Sequence, residues 1–203
     1  MTNDTIVFDL ETKKEFAEIG GREHPELLGV SVLGAYSYNL DKYIVFEESE
    51  LKEFEKMLEN TGLLIGFNSN AFDIPVLQPY MALDLKRIQS LDMMDAMVKG
   101  VGFRVALDNL ARTTINTAKS ADGLQALRWF REGRIQEVKD YCLKDVEVTR
   151  KLYEYGKQNG HVRFVPRNSI QPVTVAVDWM RHVPRELAAA NAPTSEERQF
   201  RLI

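Results

Sequence analysis

The chain has 203 residues, 44% of them hydrophobic, with only 7 Pro and 12 Gly, enough apolar material to bury one substantial core in one domain. A single cysteine, Cys142, excludes an internal disulfide framework and any Cys-rich zinc site, and it favours a reducing compartment. The formal charge of −4 argues against a uniformly basic surface, but it is unevenly spread: residues 1–98 hold 8 Lys and Arg against 18 Asp and Glu, whereas residues 99–151 hold 11 against 7. That asymmetry permits a basic surface beside an acidic pocket. The opening MTNDTIVFDLET lacks the basic stretch and apolar run of a signal peptide. No segment reaches the roughly 18 apolar residues of a membrane span, so a cytoplasmic protein without a membrane partner is expected.

In chain order, residues 5–10 alternate Ile6, Phe8 and Leu10 against Val7 and Asp9, which predicts a strand ending in acid with Asp9 and Glu11 on one side. Residues 28–38 and 42–46, joined by the turn-prone Asn39-Leu40-Asp41, predict a hairpin that pairs with it. Leu51, Phe54 and Leu58 recur at helical spacing over residues 50–60, with Ser49 as the expected N-cap and Gly62 as the stop. Residues 63–67 predict a short buried strand, and Asp73-Ile74-Pro75 opens a helix with Pro in its first turn. An edge strand is expected at 88–91, then helices near 92–98, 107–113 and 124–132, and a long last helix at 135–155. Residues 162–165 and 173–179 predict a small hairpin, followed by a polar tail. There is no internal repeat and no low-complexity segment.

Four carboxylates stand out: Asp9 and Glu11 in IVFDLET, Asp73 in GFNSNAFDIPVL, and Asp145 in YCLKDVEVT, which also holds Tyr141. Each follows or occupies an apolar segment, where a charged oxygen is costly to desolvate unless positive charge meets it. Tyr141 and Asp145 lie four apart on a predicted helix and so share a face. If that helix packs across the strand end, three carboxylates and a phenol converge. Hard oxygen donors of this kind suit Mg²⁺ or Mn²⁺, not zinc. The histidines His24, His161 and His182 have no ligand-like spacing and read as structural or surface residues.

These three segments resemble the Exo I, Exo II and Exo III motifs of the DEDD 3′→5′ exonuclease superfamily, over about residues 5–155. The Asp-x-Glu of the first appears as Asp9 and Glu11. The Asn-x₄-Asp of the second appears as Asn68 to Asp73, in a segment similar to the proofreading domain of B-family DNA polymerases. The Tyr-x-x-x-Asp of the third appears as Tyr141 and Asp145 and marks the DEDDy branch; the His of the DEDDh branch would stand where this chain has Asp140. VALDNLA and the run from Asp122 to Thr149 also resemble stand-alone bacterial exonucleases of the ribonuclease H-like group.

The resemblance implies an α/β, ribonuclease H-like fold with a mixed central sheet of about five strands flanked by helices. It also implies two Mg²⁺ or Mn²⁺ ions held by Asp9, Glu11, Asp73 and Asp145, hydrolysing phosphodiester bonds from the 3′ end of single-stranded DNA. Asp9 is expected to bridge the ions. Tyr141 is expected to orient the attacking water, since a phenol titrating near 10 is a poor base at neutral pH. Asn68, Phe72 and Lys119 are the candidate substrate contacts, although a turn role explains Asn68 and a core role Phe72. Arg128 and Arg131 are candidate phosphate contacts against the alternative of a solvated helix face.

The expected layout is a core at 1–160, a hairpin extension at 161–183 and a mobile tail at 184–203. Within the same chemistry an RNA-trimming exoribonuclease is the alternative, because the 2′-OH leaves no motif in this sequence. A non-catalytic nucleic-acid-binding module, beside a polymerase or helicase partner, is the rival from another class, but none of its expected acid losses is present. A dinucleotide or P-loop domain is disfavoured, since neither G-x-G-x-x-G nor G-x-x-x-x-G-K-[ST] occurs.

Overall fold

In the computed structural model, which describes residues 3–117 and 123–179, the acid-tipped strand is the middle of a five-stranded sheet. The strands are β1 (Asp4–Thr12), β2 (Val30–Ser37), β3 (Lys42–Glu47), β4 (Thr61–Gly66) and β5 (Ser90–Asp92), in the order β3-β2-β1-β4-β5. The pairs β1–β2 and β2–β3 are antiparallel, and β4 and β5 continue in parallel. This is the mixed sheet of a ribonuclease H-like α/β fold.

The period of two along β1 divides the molecule into two cores. Ile6, Phe8 and Leu10 face one core with Phe54, Leu58 and Val76, contributed by α1 (Leu51–Leu58) and α2 (Asp73–Leu77). Val7 faces the other, with Met93 and Met97 of α3 (Met93–Val101), Leu110 of α4 (Leu107–Ile115) and Val146 and Leu152 of α6 (Ile135–Asn159). Each such fully buried aliphatic or aromatic side chain contributes about 1.5–3 kcal/mol of transfer free energy. Asp9 and Glu11 have the parity of Val7, so they lie on the side that α6 covers.

Between α4 and α6, α5 (Gly123–Arg131) packs on α6 and β1. After Gly160 ends α6 in the left-handed conformation, β6 (His161–Phe164) and β7 (Val173–Ala176) form a separate antiparallel pair. The chain returns to α6 at Trp179, 2% exposed, whose ring stacks on Tyr153 at 6.2 Å. Gly156 makes this docking possible, because a Cβ there would stand 2.1 Å from the Trp179 ring.

Two local expectations are corrected. Ser49 does not cap α1: it sits inside a 3-10 turn, Glu48–Glu50, whose capping box is made by Glu47 and Glu50, the Glu47 N–H donating to the Glu50 carboxylate at 2.8 Å. Gly62 is not a helix stop but part of β4; the Thr61 hydroxyl donates to the Met57 carbonyl at 3.0 Å, and pairing of Thr61 with Asp4 draws the chain straight into the sheet. Lys119, His182 and the tail 184–203 lie outside the described residues.

Candidate active site

The first acidic pair owes its position to the end of β1. The β1–β2 register, with Asp9 opposite Gly34, shifts between Glu11 and Thr12, a bulge of the kind that re-aims side chains at a strand end. Gly34 then admits α6: a Cβ there would lie 3.1 Å from both the Cys142 sulfur and Val146 Cγ2. The buried Cys142 thiol donates to the Asp9 carbonyl at 3.4 Å. Burial foremost, then the charges of Asp9, Glu11 and Asp145, push the thiol well above its usual range, which keeps it neutral beside the acids.

Beside that contact on α6, Tyr141 immediately before Cys142 and Asp145 three residues after it, 3% and 2% exposed, are carried toward β1. Carboxylate oxygens of Asp9, Glu11 and Asp145 all lie within 4.8 Å of one another. The Tyr141 ring meets Trp129 of α5 edge-on at 6.2 Å.

Asp73 arrives from the opposite direction. Gly66 ends β4, where a Cβ would collide with the Ser69 side chain at 2.5 Å, so the chain turns tightly there. Asn68 follows with φ of 68°, and Asp73 opens α2. The Leu10 N–H donates to Asp73 Oδ1 at 3.2 Å, tying this loop to the residue between Asp9 and Glu11. Burial first, and the charges of Asp92 and Asp145 after it, raise the Asp73 pKa to about 7 against the opposing pull of hydrogen bonds from its own and Leu10's N–H groups.

All five of these residues line one cleft of about 390 Å³, with Phe16, Phe67, Phe72, Leu124 and Leu127 supplying apolar wall. Phe72 meets Phe16 edge-on at 5.8 Å while also packing against the first core. Asn68 lies outside the lining: it holds the left-handed turn, and its side-chain oxygen accepts from Arg104. Arg128 is exposed on α5, and Arg131 is ion-paired with Glu18.

Sequence reasoning passed over several contributors. Lys14, exposed three residues after Glu11, lines the cleft, as does the i, i+3 pair Leu124 and Leu127. Asp92 is the larger omission. Its buried carboxylate accepts from the N–H groups of Asn68 at 2.8 Å, Asn70 at 2.9 Å and Met94 at 2.9 Å, fastening the loop that carries Asp73 to the start of α3. The signal was present as an Asp at the first residue of the predicted helix 92–98, a type that favours the N-cap.

Residues 5–155 match the family model described as 3′-5′ exonuclease. The chain belongs to the 3′-5′ exonuclease family. As a member it is a nuclease of the hydrolase class, a family that typically depends on divalent metals. Among solved structures it is similar to the family B DNA polymerase of the hyperthermophilic archaeon Pyrobaculum calidifontis, with a TM-score of 0.55 and 19% identity. That likeness covers 75% of this exonuclease chain and 24% of the polymerase, so the chain spans about a quarter of the polymerase's length, and the likeness concerns the fold. No curated protein matches the chain. Among the described residues, no helix is long and apolar enough to cross a membrane.

Proposed function

We propose that the chain removes nucleotides from the 3′ end of single-stranded DNA by two-metal hydrolysis, with Asp9, Glu11, Asp73, Tyr141 and Asp145 as its catalytic residues. The observation that carries the reading is the convergence of the Asp9, Glu11 and Asp145 carboxylates within 4.8 Å, two of them buried, at one side of an apolar cleft. Three anionic oxygens held that close repel one another, and their hardness fits Mg²⁺ or Mn²⁺. Asp73 joins them through its bond to the Leu10 N–H, between Asp9 and Glu11.

Bound there, the two ions supply positive charge to the scissile phosphate and acidify the attacking water. The protein's own groups do the rest. Tyr141, on α6 and with its ring against Trp129, lines the cleft and orients the water. Phe16 and Phe72 offer apolar faces to the terminal base, and Lys14 offers a cation to a phosphate. Asn68 acts on substrate indirectly, by setting the loop before Asp73. The proposed setting is the cytoplasm, in keeping with one buried free cysteine, and the proposed partner class is a polymerase or helicase.

The test is a time course on 5′-labelled single-stranded DNA and RNA of the same sequence, with Mg²⁺, Mn²⁺ or EDTA. A ladder shortening from the 3′ end of the DNA, stopped by EDTA, is expected. Faster loss of the RNA would reassign the substrate, and efficient cutting of a closed single-stranded circle would contradict exonuclease action.

A further inference from the structure

A second concavity, of about 500 Å³, lies between the α3–α4 connection and the β6–β7 pair. One wall is Phe103, Arg104 and Val105; the other is Phe164, Val165, Pro166 and Arg167. The first belongs to the span shared with the exonuclease family, and the second lies beyond residue 155, where that span ends.

Its composition is cationic, in contrast to the acidic excess of residues 1–98. Both ionisable residues lining it are arginines, and no Asp or Glu contributes. Among the described residues neither Arg104 nor Arg167 makes an ion pair, and both are exposed. Phe103 is 50% exposed while its ring meets Phe164 edge-on at 5.8 Å, so an aromatic face is held at the surface by a buried neighbour. A cationic groove with an open aromatic ring is what successive bases and phosphates of a single strand require.

The groove is also built to keep its shape. Asn109 of α4 locks the second wall by donating to the Val165 carbonyl at 2.8 Å and accepting from the Val165 N–H at 2.9 Å. Thr114 repeats the arrangement with Arg163, at 2.9 and 2.8 Å. Finally, the groove is joined to the catalytic cleft: Arg104 donates to Asn68, and the next residue back, Phe67, lines the cleft.

We infer that this groove binds the single-stranded nucleic acid upstream of the 3′ terminus, with Phe103 stacking a base and Arg104 and Arg167 meeting phosphates. The inference rests on the exonuclease reading, and it accounts for the β6–β7 extension, which lengthens the grip on the strand without touching the reacting bond. Substrates long enough to reach the groove are held more tightly than short ones.

The test is fluorescence anisotropy with a labelled oligo-dT trinucleotide and one of about 12 nucleotides, each with an oligo-U counterpart, in EDTA so that nothing is hydrolysed. Arg167→Glu and Phe103→Ala/Arg167→Glu change exposed side chains and are compared with the wild type, alongside kcat and KM in Mg²⁺. We expect the long strand to lose affinity roughly tenfold in the double variant, with the trinucleotide and kcat unchanged and KM raised on the long strand alone. The salt dependence of long-strand binding falls by about 0.7 in slope for each phosphate that the variant no longer neutralises. The DNA and RNA arms identify which strand the groove prefers. Wild-type hydrolysis combined with unaltered long-strand affinity in both variants would overturn the groove and leave the exonuclease reading standing. Length-dependent, variant-sensitive binding without any hydrolysis would uphold the groove and overturn that reading.

Discussion

The N–H of Leu10 donates to Asp73 Oδ1 at 3.2 Å, so the second acidic segment is pinned to the peptide between the two acids of the first. The bond makes the cleft's geometry depend on Asp73 as an acceptor as well as a charge. Asp73→Asn keeps an acceptor oxygen, whereas Asp73→Ala strands a buried N–H, at a cost of about 1–3 kcal/mol. Thermal melts of the two metal-free variants should rank Asn above Ala.

The same residue sets a pH dependence. Its folded pKa is raised to about 7, chiefly by burial, above the ordinary value of 3.8, so the folded protein holds a proton that the unfolded chain has lost between those values. Stability from this group is complete below the unfolded pKa and declines as pH rises through the folded one. Metal-free wild type should therefore melt progressively lower from pH 4.5 to 7.5, and Asp73→Asn should flatten that decline. Parallel profiles for the two proteins would refute the assignment.

Removing a carboxylate from the cluster should separate activity from stability. Asp9→Ala or Asp145→Ala is expected to abolish turnover while the metal-free protein melts at an equal or higher temperature, because like charges are relieved. Mg²⁺ should raise the wild-type melting temperature by preferential binding to the folded state and leave the variants unmoved. Calorimetric melts with and without Mg²⁺ provide the comparison.

Tyr141→Phe keeps the ring against Trp129 and every carboxylate. Substrate binding should persist while kcat falls by about 10²–10⁴-fold, the range of a positioned orienting or proton-transfer group. Single-turnover rates at saturating Mg²⁺ across pH 6–9 measure it; an unchanged rate would reduce the phenol to packing.

Gly34 tests the seating of α6. A methyl there meets Cys142 and Val146 at 3.1 Å, so Gly34→Ala should push the helix by a fraction of an ångström and carry Tyr141 and Asp145 off Asp9. Turnover is expected to fall about tenfold or more, with stability changed by no more than about 1 kcal/mol.

The parts of this site that were legible in the sequence are those governed by local period. Alternation along residues 5–10 put Asp9 and Glu11 on one side of a strand, and the spacing of four put Tyr141 and Asp145 on one helical face, both as found. What stayed hidden depended on partners distant in the chain. Asp92 is an ordinary helix-capping residue by its neighbours, and only the fold brings the N–H groups of Asn68 and Asn70 to it. Likewise Asn68 stands in a motif that suggests substrate, yet its left-handed turn and its bond to Arg104 hold it outside the cleft lining. Ser49 failed as a cap because a 3-10 turn began one residue earlier, at Glu48, and single-residue cap preferences do not distinguish those starts.

The most direct test of the central claim is anomalous diffraction from crystals grown with Mn²⁺ and a single-stranded oligonucleotide, using Tyr141→Phe to slow hydrolysis. Two Mn²⁺ peaks are expected beside Asp9, Glu11 and Asp145, with the 3′-terminal phosphodiester against them and its base against the wall formed by Phe16 and Phe72. Manganese elsewhere, or none in a protein that still degrades the strand when Asp9 is replaced by Ala, would contradict that claim.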